Sequence, residues 1–460
     1  MNGLVNLSAL VGVLSAQLLG DDVAISGVST DTRRVQAGDL FIALKGPNFD
    51  AHDFIQQARQ SGAVAVVVDH QVDIDIPQLV VADTRLALGK VAQYNRGFFN
   101  GVLFAVTGSS GKTTVKEMLA AISSQRGTTL ATQGNLNNDI GVPLTLLRLS
   151  STDEFAVIEM GASGPDEIGY SVALAQPDVA ILTNAFGAHL EGFGSLQGVV
   201  NAKAEIFSGL SQKGTAVVNL DDPHAPVWLE KLKKQPILTF SMHSSAADVY
   251  ASNIQQQLSG CNQFVLNYRQ QSIRVELALL GLHNVANALA AAAAALADNC
   301  SLTDVATGLG LCKAVAGRMC PTLLDETTLL IDDSYNANPD AVKAAIDTLV
   351  NLDGESVLVL GDMGELGEGE VEQHYQVGEY AAAQGVQRLF TCGKLSLATS
   401  DAYRAAGGKD GRNLSTKNDL VELLSSLPEI QRSVLVKGSR SASMDQVVTG
   451  LIEGRRNSCC

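Results

Sequence analysis

The stretch Gly108-Ser109-Ser110-Gly111-Lys112-Thr113-Thr114 carries the residue types of a phosphate cradle. Glycines let backbone N–H groups turn inward, a lysine can reach phosphate oxygens, and a threonine hydroxyl can bind Mg²⁺. The spacing is unusual. The common loop puts four residues between its glycines, whereas only Ser109 and Ser110 separate Gly108 from Gly111, and Val106 stands where the first glycine would be. The surroundings fit all the same. A buried strand over 102–106 enters the turn, and a helix from Lys112 to Ser124 leaves it, its N-terminus adding partial positive charge. A plain strand-turn-helix could use small turn residues, but Gly-Lys-Thr at the helix start serves no packing purpose.

A Mg²⁺ ion wants hard oxygen ligands. Glu159 ends the apolar run FAVIEM, and a carboxylate at the C-terminal end of a parallel strand faces the ligand crevice. His189 follows the next strand, in LTNAFGAHLEGFGS; by itself a lone histidine there reads more readily as structural. Lys203, in NAKAEIF, reads by itself as a solvated helix lysine.

Three α/β units would position these groups. Residues 1–82 form a small αβ domain, with strands DLFIAL and AVAVVVD around a helix in HDFIQQARQSG, and an N-terminal stretch MNGLVNLSALVGVLSAQLLG read as one amphipathic core helix. Residues 83–316 begin with a connecting helix over 83–99. Four buried strands follow, LFAVT, FAVIEM, VAILTN and TAVVNL, alternating with helices, which signals a mostly parallel mononucleotide-binding sheet. VYASNIQQQLSGCNQFVLNYRQQSIRVELAL adds alternating strands as an antiparallel insert, before the helix HNVANALAAAAAALA. Residues 317–460 form a third, Rossmann-like α/β domain with strands TLLIDDS, SVLVLGD, RLFTCG and SVLVKGS; only RRNSCC reads as a disordered tail.

Composition narrows the function. The net charge of -16 and the lack of a basic run exclude nucleic acid as a natural partner. Seven cysteines, an odd number with no C-x-x-C pair, fit a reducing cytoplasm better than a disulfide framework or a zinc site. The N-terminus lacks a basic n-region, and the alanine-rich run is too short to span a bilayer, so no membrane insertion is expected.

With GSSGKTT, the chain resembles the Mur ligases, ATP-dependent amide-forming enzymes of peptidoglycan synthesis whose phosphate loop is the short form G-x-x-G-K-[ST]-[ST]. The resemblance extends through GNLNNDIGVPLTLL, AHLEGFGS, KAEIFSGL, GLHNVANALAA, AVAGRM, DDSYNANP, GDMGELG and LVKGSRSASM, and covers all three domains. Within the family these motifs resemble the branch that joins D-alanyl-D-alanine to a UDP-N-acetylmuramoyl-tripeptide; the Asp-Asn-Pro-Arg motif of the branch adding the third residue is absent. The resemblance implies a cytoplasmic monomer that uses ATP and two Mg²⁺ ions, through an acyl phosphate. It implies that Gly108 to Thr114 and Lys112 hold phosphates, that Thr113 and Glu159 ligate Mg²⁺, that His189 helps bind a second Mg²⁺, and that Lys203 is carbamoylated and supplies anionic oxygens to Mg²⁺. Asn284 and Asn287 would contact adenine. Arg318 would reach the phosphates, and Asp333 the ribose, although Asp332 or Asp333 could equally be a strand-end structural acid. Ser29, Thr30, Asp31 and Arg33 would contact UDP, and Asn135, Asn137 and Asn138 the sugar-peptide. Tyr335, Asn336 and Asn338 would face the incoming dipeptide, although SYNANP has good turn chemistry of its own.

Overall fold

Three large β-sheets follow one another along the chain, with two two-stranded pairs, Val5–Asn6 with Ala24–Ile25 and Lys45–Gly46 with Phe49–Asp50, beside the first. The computed structural model describes residues 3–187, 190–257 and 260–458. The architecture is mixed α/β, with largely parallel sheets flanked by helices.

The first sheet has five strands, in the order Gln17–Leu19, Gln78–Val80, Ala65–Val68, Asp39–Ile42 and Gly27–Ser29. Only the first pair is antiparallel. All of Ala65–Val68 is buried, as a parallel strand covered on both faces should be. The predicted N-terminal helix is shorter than the sequence suggested. It spans Leu7–Leu14, burying Leu7, Leu10 and Leu14, and ends at Ser15 in a left-handed conformation. The chain then turns into the edge strand Gln17–Leu19. The helix Thr84–Arg96 is capped by Asp83, which accepts from the Leu86 N–H at 2.9 Å. Its residues Leu88 and Val91 share one core with Leu10 on one side and Val142 and Val172 on the other. Each such buried side chain contributes about 2 kcal/mol.

The second sheet has nine strands. Val102–Thr107 lies between Phe155–Glu159 and Val179–Leu182, with Thr129–Ala131 outside the former and Thr215–Asn219 and Ile237–Ser241 outside the latter, all parallel. The three alternating strands predicted as an insert, Val249–Gln256, Cys261–Tyr268 and Gln271–Leu280, are antiparallel to one another but continue this same sheet, because Val249–Gln256 pairs in parallel with Ile237–Ser241. Strands thus depart to both sides of Val102–Thr107, and the crevice at such a switch point, beyond the strand C-termini, is where α/β sheets bind ligands. The helix His283–Ala297 packs against the helix Lys112–Ser123, and Ala288 to Ala295 are almost fully buried. Side chains this small let the two helices and the sheet approach closely.

The third sheet runs Cys320–Leu323, Thr328–Asp333, Arg432–Lys437, Glu355–Gly361, Arg388–Cys392 and Asp410–Leu414, parallel except for its first pair. The last helix, Asp445–Ser458, continues through most of the segment read as a tail. No helix among the described residues is long and apolar enough to cross a membrane.

Candidate functional site

A cavity of ≈ 340 Å³ opens between the second and third sheets. One wall carries Ser109 to Lys112, Thr114, Asn284 and Asn287; the other carries Arg318, Asp333, Asn336, Asn338 and Lys437. Residues from two largely parallel sheets therefore face one space.

The short loop takes its shape from its neighbours. Gly108 has φ +154° and Gly111 φ +79°. A Cβ on Gly108 would stand 1.9 Å from Thr183 Oγ1, and one on Gly111 2.2 Å from Asn287 Oδ1. The N–H of Ser109 donates to the Asn184 carbonyl at 3.0 Å and that of Ser110 to Asn184 Oδ1 at 2.8 Å. Those two amides are spent on the protein. The anion cradle begins at Gly111, where the helix Lys112–Ser123 starts with no side-chain cap on its first amides. The Lys112 ammonium donates to the Gly108 carbonyl at 2.8 Å. Burial pulls its pKa down, partly offset by Glu159, with Arg318 pushing in the same direction as burial. Gly111→Ala is expected to raise the KM for ATP at least tenfold, since a side chain would meet both the left-handed strain and Asn287. An unchanged KM would show that Gly111 does not set the loop.

Beside the loop lies a site suited to a cation. Glu159, 1% exposed, accepts from Asn137 Nδ2 at 2.7 Å and Thr113 Oγ1 at 3.3 Å through one carboxylate oxygen. Its other oxygen, Oε2, is buried with no hydrogen-bond partner among the described residues. A buried ionised oxygen without a partner is costly, and a hard cation is the partner its chemistry suits, so Thr113 and Glu159 fit Mg²⁺. Lys203 is not the solvated lysine its sequence context suggested. It is 1% exposed, 5.2 Å above the Phe193 ring, with no hydrogen bond or ion pair among the described residues. Burial pulls its pKa down to about 7, Lys112 adds to this, and Glu167 and Glu205 oppose it. His189 lies outside the described residues.

On the helix His283–Ala297, Asn287 Nδ2 donates to Asn284 Oδ1 at 2.8 Å, and Asn284 Nδ2 donates to the Leu280 carbonyl at 2.7 Å. Both line the cavity. Beside them His283 has a buried Nδ1 without a hydrogen-bond partner among the described residues. Of the two neighbouring acids, Asp333 lines the cavity. Asp332 instead accepts from the Gly317 and Ser334 N–H groups. Asp333 accepts from the Lys437 ammonium at 2.6 Å. Lys437 and Asn184 were not singled out by sequence; a strand-end lysine and an asparagine after a strand were the only signals. Arg318 stacks 4.1 Å from the Tyr335 ring centroid.

Not every predicted residue meets here. Asn336 and Asn338 share the cavity with the phosphate loop, and Asn338 also caps the helix Pro339–Val350 through the Ala341 N–H. Asn137 holds Glu159, and Asn138 accepts from the Gly141 N–H. Asn135 accepts through its carbonyl from the Asn137 N–H. Ser29, Thr30, Asp31 and Arg33 stand in the first unit, away from the cavity lining. There Arg33 forks onto Asp31, with a 2.7 Å contact, and holds its carboxyl down at about 2.

Comparison with known proteins agrees along the whole chain. The "Mur ligase family, catalytic domain" matches residues 24–95, the "Mur ligase middle domain" 106–295 and the "Mur ligase, glutamate ligase domain" 317–440. The UDP-N-acetylmuramoyl-tripeptide--D-alanyl-D-alanine ligase of Escherichia coli K12 is 47% identical over 98% of each chain. A crystal structure of MurF from Acinetobacter baumannii superposes with a TM-score of 0.91 at 36% identity, covering 98% of this chain and 99% of that one. MurF ligase from Thermotoga maritima, solved in complex with ADP, superposes at 0.82 with 27% identity, over 94% and 98%.

Proposed function

The chain belongs to the Mur ligase family, and on that premise we propose that it joins D-alanyl-D-alanine to UDP-N-acetylmuramoyl-tripeptide at the expense of ATP, in peptidoglycan synthesis. The observation that carries the reading is the cavity itself, where a phosphate loop on one sheet faces Arg318, Asp333 and Lys437 on another.

The reaction runs in two steps. The terminal carboxylate of the tripeptide attacks the γ-phosphorus, and ADP leaves with the bond electrons, giving an acyl phosphate. The free amine of the dipeptide attacks that carbonyl, inorganic phosphate leaves, and the amine proton is lost as the amide forms. Phosphoryl transfer of this kind depends on positioning and charge neutralisation. Lys112 and Arg318 converge on the cavity and supply positive charge to the transferred group. Asp333, held by Lys437, offers acceptors to the ribose, and Asn284 and Asn287 form the adenine side. Mg²⁺, when bound, would neutralise phosphate oxygens; Thr113 and Glu159 would hold it, with His189 and a carbamate on Lys203. A cavity wall from each sheet excludes water from the acyl phosphate.

Domain roles follow: residues 1–82 bind the UDP portion through Ser29 to Arg33, 83–316 carry the phosphate loop, and 317–460 close on ATP and bring the dipeptide. We read the enzyme as a cytoplasmic monomer; Cys300, Cys312, Cys320 and Cys392 are free thiols, which suits a reducing compartment. The test is phosphate release with ATP, UDP-muramoyl tripeptide and D-Ala-D-Ala, each omitted in turn. Release is expected only when all three are present. Release that ignores the dipeptide would mark an ATPase instead and defeat the reading.

A further inference from the structure

We propose that Arg440 anchors the terminal carboxylate of the incoming dipeptide, a specificity contact that deepens the ligase reading above and rests on it. The Tyr335 ring carries two guanidinium groups. Arg318, on the cavity wall, lies 4.1 Å from its centroid, and Arg440 lies 6.0 Å away. Arg440 pairs with Asp445 at 3.8 Å, and both side chains are more than half exposed. An exposed pair of that kind is weak and easily exchanged for a better partner. Arg440 is thus a loosely paired guanidinium that shares the Tyr335 ring with the arginine of the phosphate site.

The segment that bears it is fixed. It follows the buried strand Arg432–Lys437 at the C-terminal end of a parallel sheet, where ligands bind. The Ser439 N–H donates to the Asp362 carbonyl at 2.9 Å. The Ser439 and Ser441 hydroxyls, 3.1 Å apart, approach Gly364 on the cavity wall: a Cβ there would stand 3.6 and 3.7 Å from them. Two hydroxyls and a guanidinium carried on one short segment are the donor types that bind a carboxylate.

Geometry selects the dipeptide. Its amine must reach the acyl phosphate near Arg318, and an extended dipeptide places its carboxylate roughly 7 Å further on. Guanidinium groups 4.1 and 6.0 Å from one ring centroid lie no more than about 10 Å apart, a separation that admits that span. A single amino acid would leave Arg440 unmet, so the contact also selects for length.

Arg440→Ala tests this, and an exposed side chain makes the variant safe for the fold. The KM for D-Ala-D-Ala is expected to rise roughly ten- to a hundredfold, as for loss of a charge-assisted pair, with the KM values for ATP and the UDP-tripeptide within about twofold. Wild type should prefer D-Ala-D-Ala over its C-terminal carboxamide, Arg440→Ala should not, and Arg440→Lys should keep part of the preference. An unchanged dipeptide KM, or a preference for the carboxylate that survives in Arg440→Ala, overturns the assignment. A raised KM for the UDP-tripeptide instead would give Arg440 to a carboxylate of the donor, and also overturns it. If wild type shows no dipeptide-dependent phosphate release at all, the ligase reading falls first.

Discussion

Lys112→Ala is expected to lose dipeptide-dependent phosphate release by a factor on the order of 10³ or more, while keeping its fold. The lysine opens the helix Lys112–Ser123 and donates to the Gly108 carbonyl at 2.8 Å. That bond keeps the ammonium folded back over its own loop. A bound phosphate offers a charged acceptor in place of a neutral one, so the side chain exchanges one partner for a stronger one. Few alternatives exist nearby, because the amides of Ser109 and Ser110 are already engaged by Asn184. Truncation thus removes a principal mobile cation from the transferred group. The fold should not suffer: burial already disfavours the charged form of this lysine, so its removal relieves a cost. Circular dichroism and thermal unfolding alongside the kinetics separate the two effects. Near-normal turnover in a folded Lys112→Ala protein would take the phosphate loop out of the reaction.

The central strands and the Gly-Lys-Thr turn were legible because each is a local pattern: a run of apolar residues, then glycine, then a helix start. Among the strands that sequence missed are Gln17–Leu19, Gly27–Ser29, Gln78–Val80, Thr129–Ala131, Ile237–Ser241, Cys320–Leu323 and Asp410–Leu414. The last, DGRNL, has no strand composition. It forms because Arg388–Cys392 needs an edge partner, and because Arg388 pairs with Asp410 at 2.7 Å and Thr391 with Asn413 at 2.8 Å. The site divides the same way. Glu159 announced itself by ending a buried strand. Asn184 and Lys437 did not, since their roles arise only when segments 74 and 104 residues apart come together. Lys203 was misread in isolation for a related reason. Nothing in NAKAEIF says that the phosphate-loop side of the sheet buries it; only the family resemblance pointed there.

Lys203→Ala is expected to be nearly inactive and partly restored by short carboxylic acids such as acetate. The lysine is essentially buried and, among the described residues, has no hydrogen bond or ion pair. A charged ammonium is a poor tenant there, and its pKa falls from 10.5 to about 7. At pH 7 about half of such amines are neutral, against roughly one in a few thousand for an ordinary lysine. A neutral amine can add CO₂: the nitrogen lone pair bonds to carbon, one proton leaves, and a carbamate replaces the cation. The product is an anion with two hard oxygens on a long stem, suited to Mg²⁺ beside Glu159. The sign with pH follows. Acid protonates the amine and removes the carbamate, so activity should fall below about pH 7 and recover with added bicarbonate. The amine also sets stability. Without CO₂, its lowered pKa penalises the folded state fully below about pH 7, and the penalty fades as pH climbs toward 10.5. Lys203→Met, of similar length and uncharged, should therefore unfold at higher temperature than CO₂-depleted wild type, most clearly at pH 6 to 7, while remaining inactive. Full activity in Lys203→Ala, or wild-type activity indifferent to CO₂ removal, would end the carbamate assignment. A Lys203→Met protein no more stable than wild type at pH 6 would show that the ammonium is not a buried charge at all.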